Sequence, residues 1–185
     1  MEGGIRAWKG LVAQKTPESG IAYFSPATTP QEMAGLAWFL ENGSRRFYAE
    51  VRDMLLGDST VSGLFTELAL AEERHESTLL DLYREFSGKP PSNGHPKSII
   101  SVEKDDDVME GGVRVSEAVQ WAKGKSASEV LEFSVGLETN SYDLYLVMEA
   151  RLKNKPPSKV FHVLAAEEKQ HLKRLVALFE ERMKK

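Results

Sequence analysis

The feature that most limits what this chain can fold into is a repeat of five side chains at helical spacing. In one copy Glu41 precedes Tyr48 by seven residues, and further on Phe65 precedes Glu72 by seven, with His75 three beyond in EERH. In the other, Glu138 precedes Tyr145 by seven, Phe161 precedes Glu168 by seven, and His171 closes EKQH. The copies are offset by 97 residues at Glu41 and Glu138, and by 96 at Glu72 and Glu168 and at His75 and His171. Seven residues make almost two helical turns, so Glu41 shares a face with Tyr48 and Glu138 with Tyr145. Three residues bring the Glu and His of each E-x-x-H to one centre. The same faces carry Leu68, Leu79, Leu164 and Leu175, which marks them as the buried faces.

The surrounding punctuation sets the helices. Thr29, Pro30 and Glu32 form an N-cap, a first-turn proline and a capping box, and a helix is expected from Pro30 to Leu56. A second is expected from Val61 or Ser62 to Phe86, closed by SGKPPSNGHPKS. Ser126 with Glu129 announces a third, running to Lys153, and after NKPPSK a fourth runs from Ser158 to the C-terminus. Between the hairpins, residues 88 to 125 are irregular apart from a short helix near Ser116, with DDD at 105 to 107 read as solvated loop. Two helical hairpins joined by a long crossover is a standard connectivity of a four-helix bundle. Residues 1 to 28, cut by Gly3, Gly4, Gly10, Pro17, Gly20 and Pro26, read as an extension or linker, and residues 29 to 185 as the bundle.

Burying four carboxylates and two imidazoles in such a bundle is very costly unless cations neutralise them. Two metal ions supply that charge. The chain has no cysteine, so thiolate sites, disulfides and cysteine nucleophiles are excluded, and carboxylate with imidazole suits iron or manganese. The balance of 24 Lys and Arg against 28 Asp and Glu offers no basic field for nucleic acid. No apolar run is long enough to cross a membrane. The opening MEGGIRAWKG lacks the apolar centre of a signal peptide, so a cytoplasmic protein is expected.

Two E-x-x-H motifs, each following a Glu-to-Tyr helix, resemble the rubrerythrin and ferritin-like di-iron carboxylate family over roughly residues 29 to 181. In di-iron bundles of that kind one Glu comes from each of two helices and one Glu-x-x-His from each of the other two. The resemblance implies an all-α, ferritin-like four-helix bundle with one long crossover between helices 2 and 3. It places Glu41, Glu72, His75, Glu138, Glu168 and His171 as ligands of two iron ions, with manganese or zinc as substitutes. It makes Tyr48 and Tyr145 hydrogen-bond donors to ligating carboxylates, and either Glu72 or Glu168 the carrier of a proton. The implied activity is reduction of hydrogen peroxide or oxidation of ferrous iron by peroxide or oxygen. An iron-handling ferroxidase and a non-enzymatic, metal-braced structural or sensing module are the alternatives. The family often has a carboxylate three residues after the third-helix Glu, where this chain has Ser141. Full-length rubrerythrins also carry a cysteine-ligated rubredoxin domain. Without it, an external electron donor such as a rubredoxin-type protein is implied, together with a homodimer that is either helix-swapped or unswapped. MEGGIRAWKG is itself similar to the closing segment of a rhodanese domain, which implies an upstream rhodanese domain in a longer chain. An ordinary N-terminal extension with Trp8 packed on the bundle is the alternative.

The remaining polar residues read as bystanders. His95 in a Gly/Pro loop and His162 are not expected to be ligands, and Glu73 and Glu167, about 100° off the ligand face, are expected to be solvated. Arg52 and Glu149 each lie eleven residues beyond a candidate ligand. With Arg45, they either turn inward one layer past the site or snorkel to water.

Overall fold

The computed structural model describes residues 27–88, 96 and 107–184. Thr29 caps helix α1 (Pro30–Met54), its hydroxyl accepting from the Glu32 N–H while the Glu32 carboxylate accepts from the Thr29 N–H. Asp58 caps α2 (Ser59–Ser87), which ends on Gly88 in the left-handed conformation. Asp58 also pairs with Arg182 from the far end of the chain, which ties the second helix's start to the last helix's end. Ser126 and Glu129 form the second capping box, and Pro157 precedes the last helix. As α3 belongs to the crossover, these are α4 (Ala127–Arg151) and α5 (Ser158–Met183).

Helices α1 with α2 and α4 with α5 form antiparallel hairpins, and the two hairpins face each other in an all-α, ferritin-like four-helix bundle. The apolar core is split in two. One layer gathers Leu36, Leu40, Leu79, Leu144, Tyr145, Phe161 and Leu164, and the other Phe47, Tyr48, Phe65, Leu68, Phe133, Leu137 and Leu175. Between Leu40 and Phe47, Leu68 and Leu79, Leu137 and Leu144, and Leu164 and Leu175, each helix contributes its polar ligand candidates. The split therefore follows from the sequence period itself.

From Asp107 onward the crossover holds more regular structure than its composition suggests. Strands β1 (Val108–Met109) and β2 (Val113–Arg114) pair antiparallel, Val108 with Arg114 and Met109 with Val113, around a 3-10 turn at Glu110–Gly112. Helix α3 (Val115–Ala122) follows and packs Val115, Ala118 and Ala122 into the second apolar layer. Asp107, expected in solvated loop, is half-buried and accepts from the Ser116 N–H at 3.0 Å and its hydroxyl at 2.6 Å, so it anchors the start of this helix. No helix among the described residues is long and apolar enough to cross a membrane. Trp8, the rhodanese-like segment, Asp105, Asp106 and His95 lie outside the described residues.

Candidate metal centre

The six candidate ligands meet in the gap between the two apolar layers, and all are buried. Their donor atoms form two overlapping sets, Glu41, Glu72, His75 and Glu168 in one and Glu72, Glu138, Glu168 and His171 in the other, the atoms of each lying within 4.8 Å of one another. Glu72 and Glu168 belong to both, so they are the carboxylates positioned to bridge. Glu41 and His75 belong to the first set alone, and Glu138 and His171 to the second alone. The imidazole ring centroids lie 5.7 Å apart, with the ring planes inclined by 27°.

The donors crowd together without pairing. His75 Nδ1 lies 3.0 Å from Glu72 Oε2, 3.0 Å from Glu168 Oε1 and 3.5 Å from Glu41 Oε2. None of these four atoms makes an aligned hydrogen bond. One ring nitrogen has a single in-plane lobe and cannot serve three carboxylates. Four buried donors converging on a point is the arrangement a cation satisfies, so the residues present fit a metal. On the other side His171 Nδ1 lies 3.2 Å from Glu138 and 3.3 Å from Glu168. Both histidines thus turn Nδ1 inward.

Electrostatics report the same crowding. Burial, then the neighbouring Glu72 and Glu110 charges, hold Glu41 well above the ordinary carboxylate range. Burial and Glu168 do the same to Glu138. Burial opposes charge on Glu168 too, but Glu138, His171 and the close approach of His75 outweigh it and hold that carboxyl far below its usual value. Burial likewise works against protonated histidine, yet the Glu41 charge, the hydrogen bond to Glu167 and the close approach of Glu168 raise His75, and Glu138 and Glu168 raise His171 to about 10. Without a cation, protons shared among these groups take its place.

The tyrosines cross over. Tyr48 on α1 donates its hydroxyl to Glu138 Oε1 on α4 at 2.5 Å, and Tyr145 on α4 donates to Glu41 Oε1 on α1. Each ring packs on the repeated phenylalanine, Tyr48 on Phe65 with centroids 5.7 Å apart and Tyr145 on Phe161 at 6.0 Å. All five repeated positions therefore belong to one construction: ligand, carboxylate orienter and the ring that fixes the orienter.

Residues 129–185 match the family model described as Rubrerythrin. The matched segment covers nearly all of the α4–α5 hairpin and supports a place for it in the rubrerythrin and ferritin-like family. It contains Glu138, Tyr145, Glu168 and His171. No curated protein and no solved structure matches the chain. The first hairpin lies outside the matched residues and is related to the second by the internal repeat.

Two residues near the centre are not among the six. Glu167, expected to be solvated, is half-exposed but accepts from His75 Nε2 at 2.9 Å, which fixes the ring with Nδ1 pointing inward. That hydrogen bond also holds the Glu167 carboxyl below its usual value. Glu110, from the crossover turn, is buried. The signal for it in the sequence is the Gly111–Gly112 pair behind it, which marks a tight turn. The other expectations resolve outward. Glu73 and His162 are exposed, Arg52 pairs with Asp53, Glu149 with His162, and Arg45 with Glu76 at 2.5 Å.

Proposed function

We propose that this protein is a non-haem di-iron oxidoreductase of rubrerythrin type, reducing hydrogen peroxide or oxidising ferrous iron, with electrons returned by an external donor. The observation that carries this reading is the pair of overlapping ligand sets sharing Glu72 and Glu168. A bound ferrous pair would supply the two electrons that reduction of peroxide to two waters requires, along with two protons. The protein's own residues do the rest. Glu41 and His75 would hold one ion and Glu138 and His171 the other, with Glu72 and Glu168 available to both. Tyr145 and Tyr48 fix the orientation of Glu41 and Glu138 through their hydroxyls. Glu72 or Glu168, each within hydrogen-bond reach of a histidine Nδ1, carries a proton to the departing oxygen. The apolar layers on either side keep bulk water from the centre.

The bundle domain is assigned to residues 29–185, working as a cytoplasmic homodimer that takes electrons from a rubredoxin-type partner. The first residues are assigned to the end of an upstream rhodanese domain in a longer chain. The decisive experiment is anaerobic reconstitution with Fe(II), metal analysis, and rapid mixing with stoichiometric peroxide. About two irons per chain and a fast rise of ferric absorption support the redox enzyme. Fewer than one tightly bound ion, or bound iron inert to peroxide and oxygen, refutes it.

A further inference from the structure

Glu110 lies on no long helix and falls outside the internal repeat, yet its side chain is buried against the centre. Neither carboxylate oxygen has a hydrogen-bond partner in another residue, and among the described residues it is the one carboxylate with both oxygens left so. The six candidate ligands leave at most one oxygen each in that state. Burial and the like charges of Glu72 and Glu168 disfavour its anion more than its own backbone N–H and His75 favour it. A buried carboxylate in these surroundings is either held protonated or matched by a cation.

The backbone is built to put it there. The β1–β2 hairpin is wedged against α1 at Gly43, two residues past Glu41. A Cβ there would overlap the Val108 carbonyl oxygen and come within 2.8 Å of Met109 Cα. On the opposite side Gly111, with a φ of 72°, lies against Asn140 of α4, two residues past Glu138, where a Cβ would meet Asn140 Nδ2 at 2.8 Å. Glu110 thus sits at the apex of a turn seated between the two helices that carry Glu41 and Glu138, with glycine used at both points of close approach.

We infer that Glu110 is a seventh protein ligand of the dinuclear centre, a carboxylate delivered by the crossover hairpin and engaging one of the two metal ions when the centre is loaded. It belongs to neither four-residue set, so engagement takes a change of its side-chain rotamer. The inference rests on the dinuclear reading above, and the test separates the two.

The full chain, freed of metal, is titrated with Co(II) under a competing chelator, reading stoichiometry, affinity and the visible d–d bands. Wild type is compared with Glu110→Gln, which keeps the shape and removes the charge, and with Glu110→Asp, which keeps the charge and withdraws it by one methylene. The expected result is two ions in wild type, an affinity lower by about tenfold or more for one ion in Glu110→Gln, and bands that shift and intensify as the coordination number falls. Glu110→Asp falls between them. Wild type binding two ions while both variants match it in affinity and spectrum overturns the inference alone. Wild type binding fewer than two overturns the dinuclear reading, and this inference with it.

Discussion

Removing the hydroxyl of Tyr145 tests whether the tyrosines act on ligands or only fill space. In Tyr145→Phe the ring and its packing on Phe161 remain, while Glu41 loses the hydrogen bond it receives from across the bundle. Without metal, burial holds Glu41 protonated well above its ordinary range, so the lost bond joins two neutral groups. Such a bond contributes about 0.5–1.5 kcal/mol. With metal bound Glu41 is an anion, and the same hydroxyl makes a charge-assisted bond of about 1.5–3 kcal/mol. Both groups are fully buried, so no discount for solvent screening applies. For a chain of this size the expected fall in Tm is about 1–6 °C without metal and about 3–12 °C with it. The difference of roughly 1–1.5 kcal/mol must reappear as metal affinity weaker by about five- to tenfold, since the two routes close a thermodynamic cycle. The assay is denaturation of wild type and variant with and without saturating Mn(II) or Co(II), beside a direct affinity titration. Tyr48→Phe should do the same through Glu138. Equal destabilisation in both states, with affinity unchanged, would refute the reasoning and leave the tyrosines as packing residues.

Metal-free protein should lose stability as pH rises from about 5 to 9. Glu41, Glu110 and Glu138 have folded pKa values above the ordinary 4.5, and His75 and His171 above 6.5, so each contributes stability that is complete below its unfolded pKa and disappears through its folded one. Glu168, shifted the other way, loses its contribution only as pH falls below 4.5. Because metal replaces these protons, the rise in Tm on adding Mn(II) should grow over the same interval, and a pH-independent rise would contradict the shared-proton account. Gly43→Ala should destabilise the protein by about 1–3 kcal/mol, since the hairpin must lift from α1; urea denaturation giving less than about 0.5 kcal/mol would show that the close approach is not needed.

The six ligand candidates were legible because every helix in the bundle carries its information at a period of 3.6, and a charged residue in phase with leucines is conspicuous. Two of the long helices are legible from the capping boxes at Thr29 and Ser126 and the other two from Gly/Pro breaks, and the structure's boundaries differ from the expected ones by only a few residues, as at Ser59, where α2 starts ahead of Val61. What escaped was tertiary. The exchange of tyrosines between α1 and α4 depends on how the hairpins face each other, which no single helix encodes. Glu167 was assigned to water from its own helix's phase, but the partner that claims it, His75, stands on α2. Glu110 sits where no periodicity operates, in the stretch of paired backbone and turn at 108–114 whose position depends on glycines at 43 and 111.

The hydrogen bond from His75 to Glu167 carries one more implication. Position 167 corresponds in the repeat to Ala71, which is buried and whose methyl offers no acceptor. Two identical hairpins meeting across a symmetry axis would have to place a carboxylate behind both imidazoles or neither. Joining both copies in one chain removes that obligation, because a substitution in one half is not mirrored in the other. The two halves can then specialise, one imidazole carrying a carboxylate on its outer nitrogen and the other having an alanine at the matching position, around a centre whose inner shell still looks duplicated.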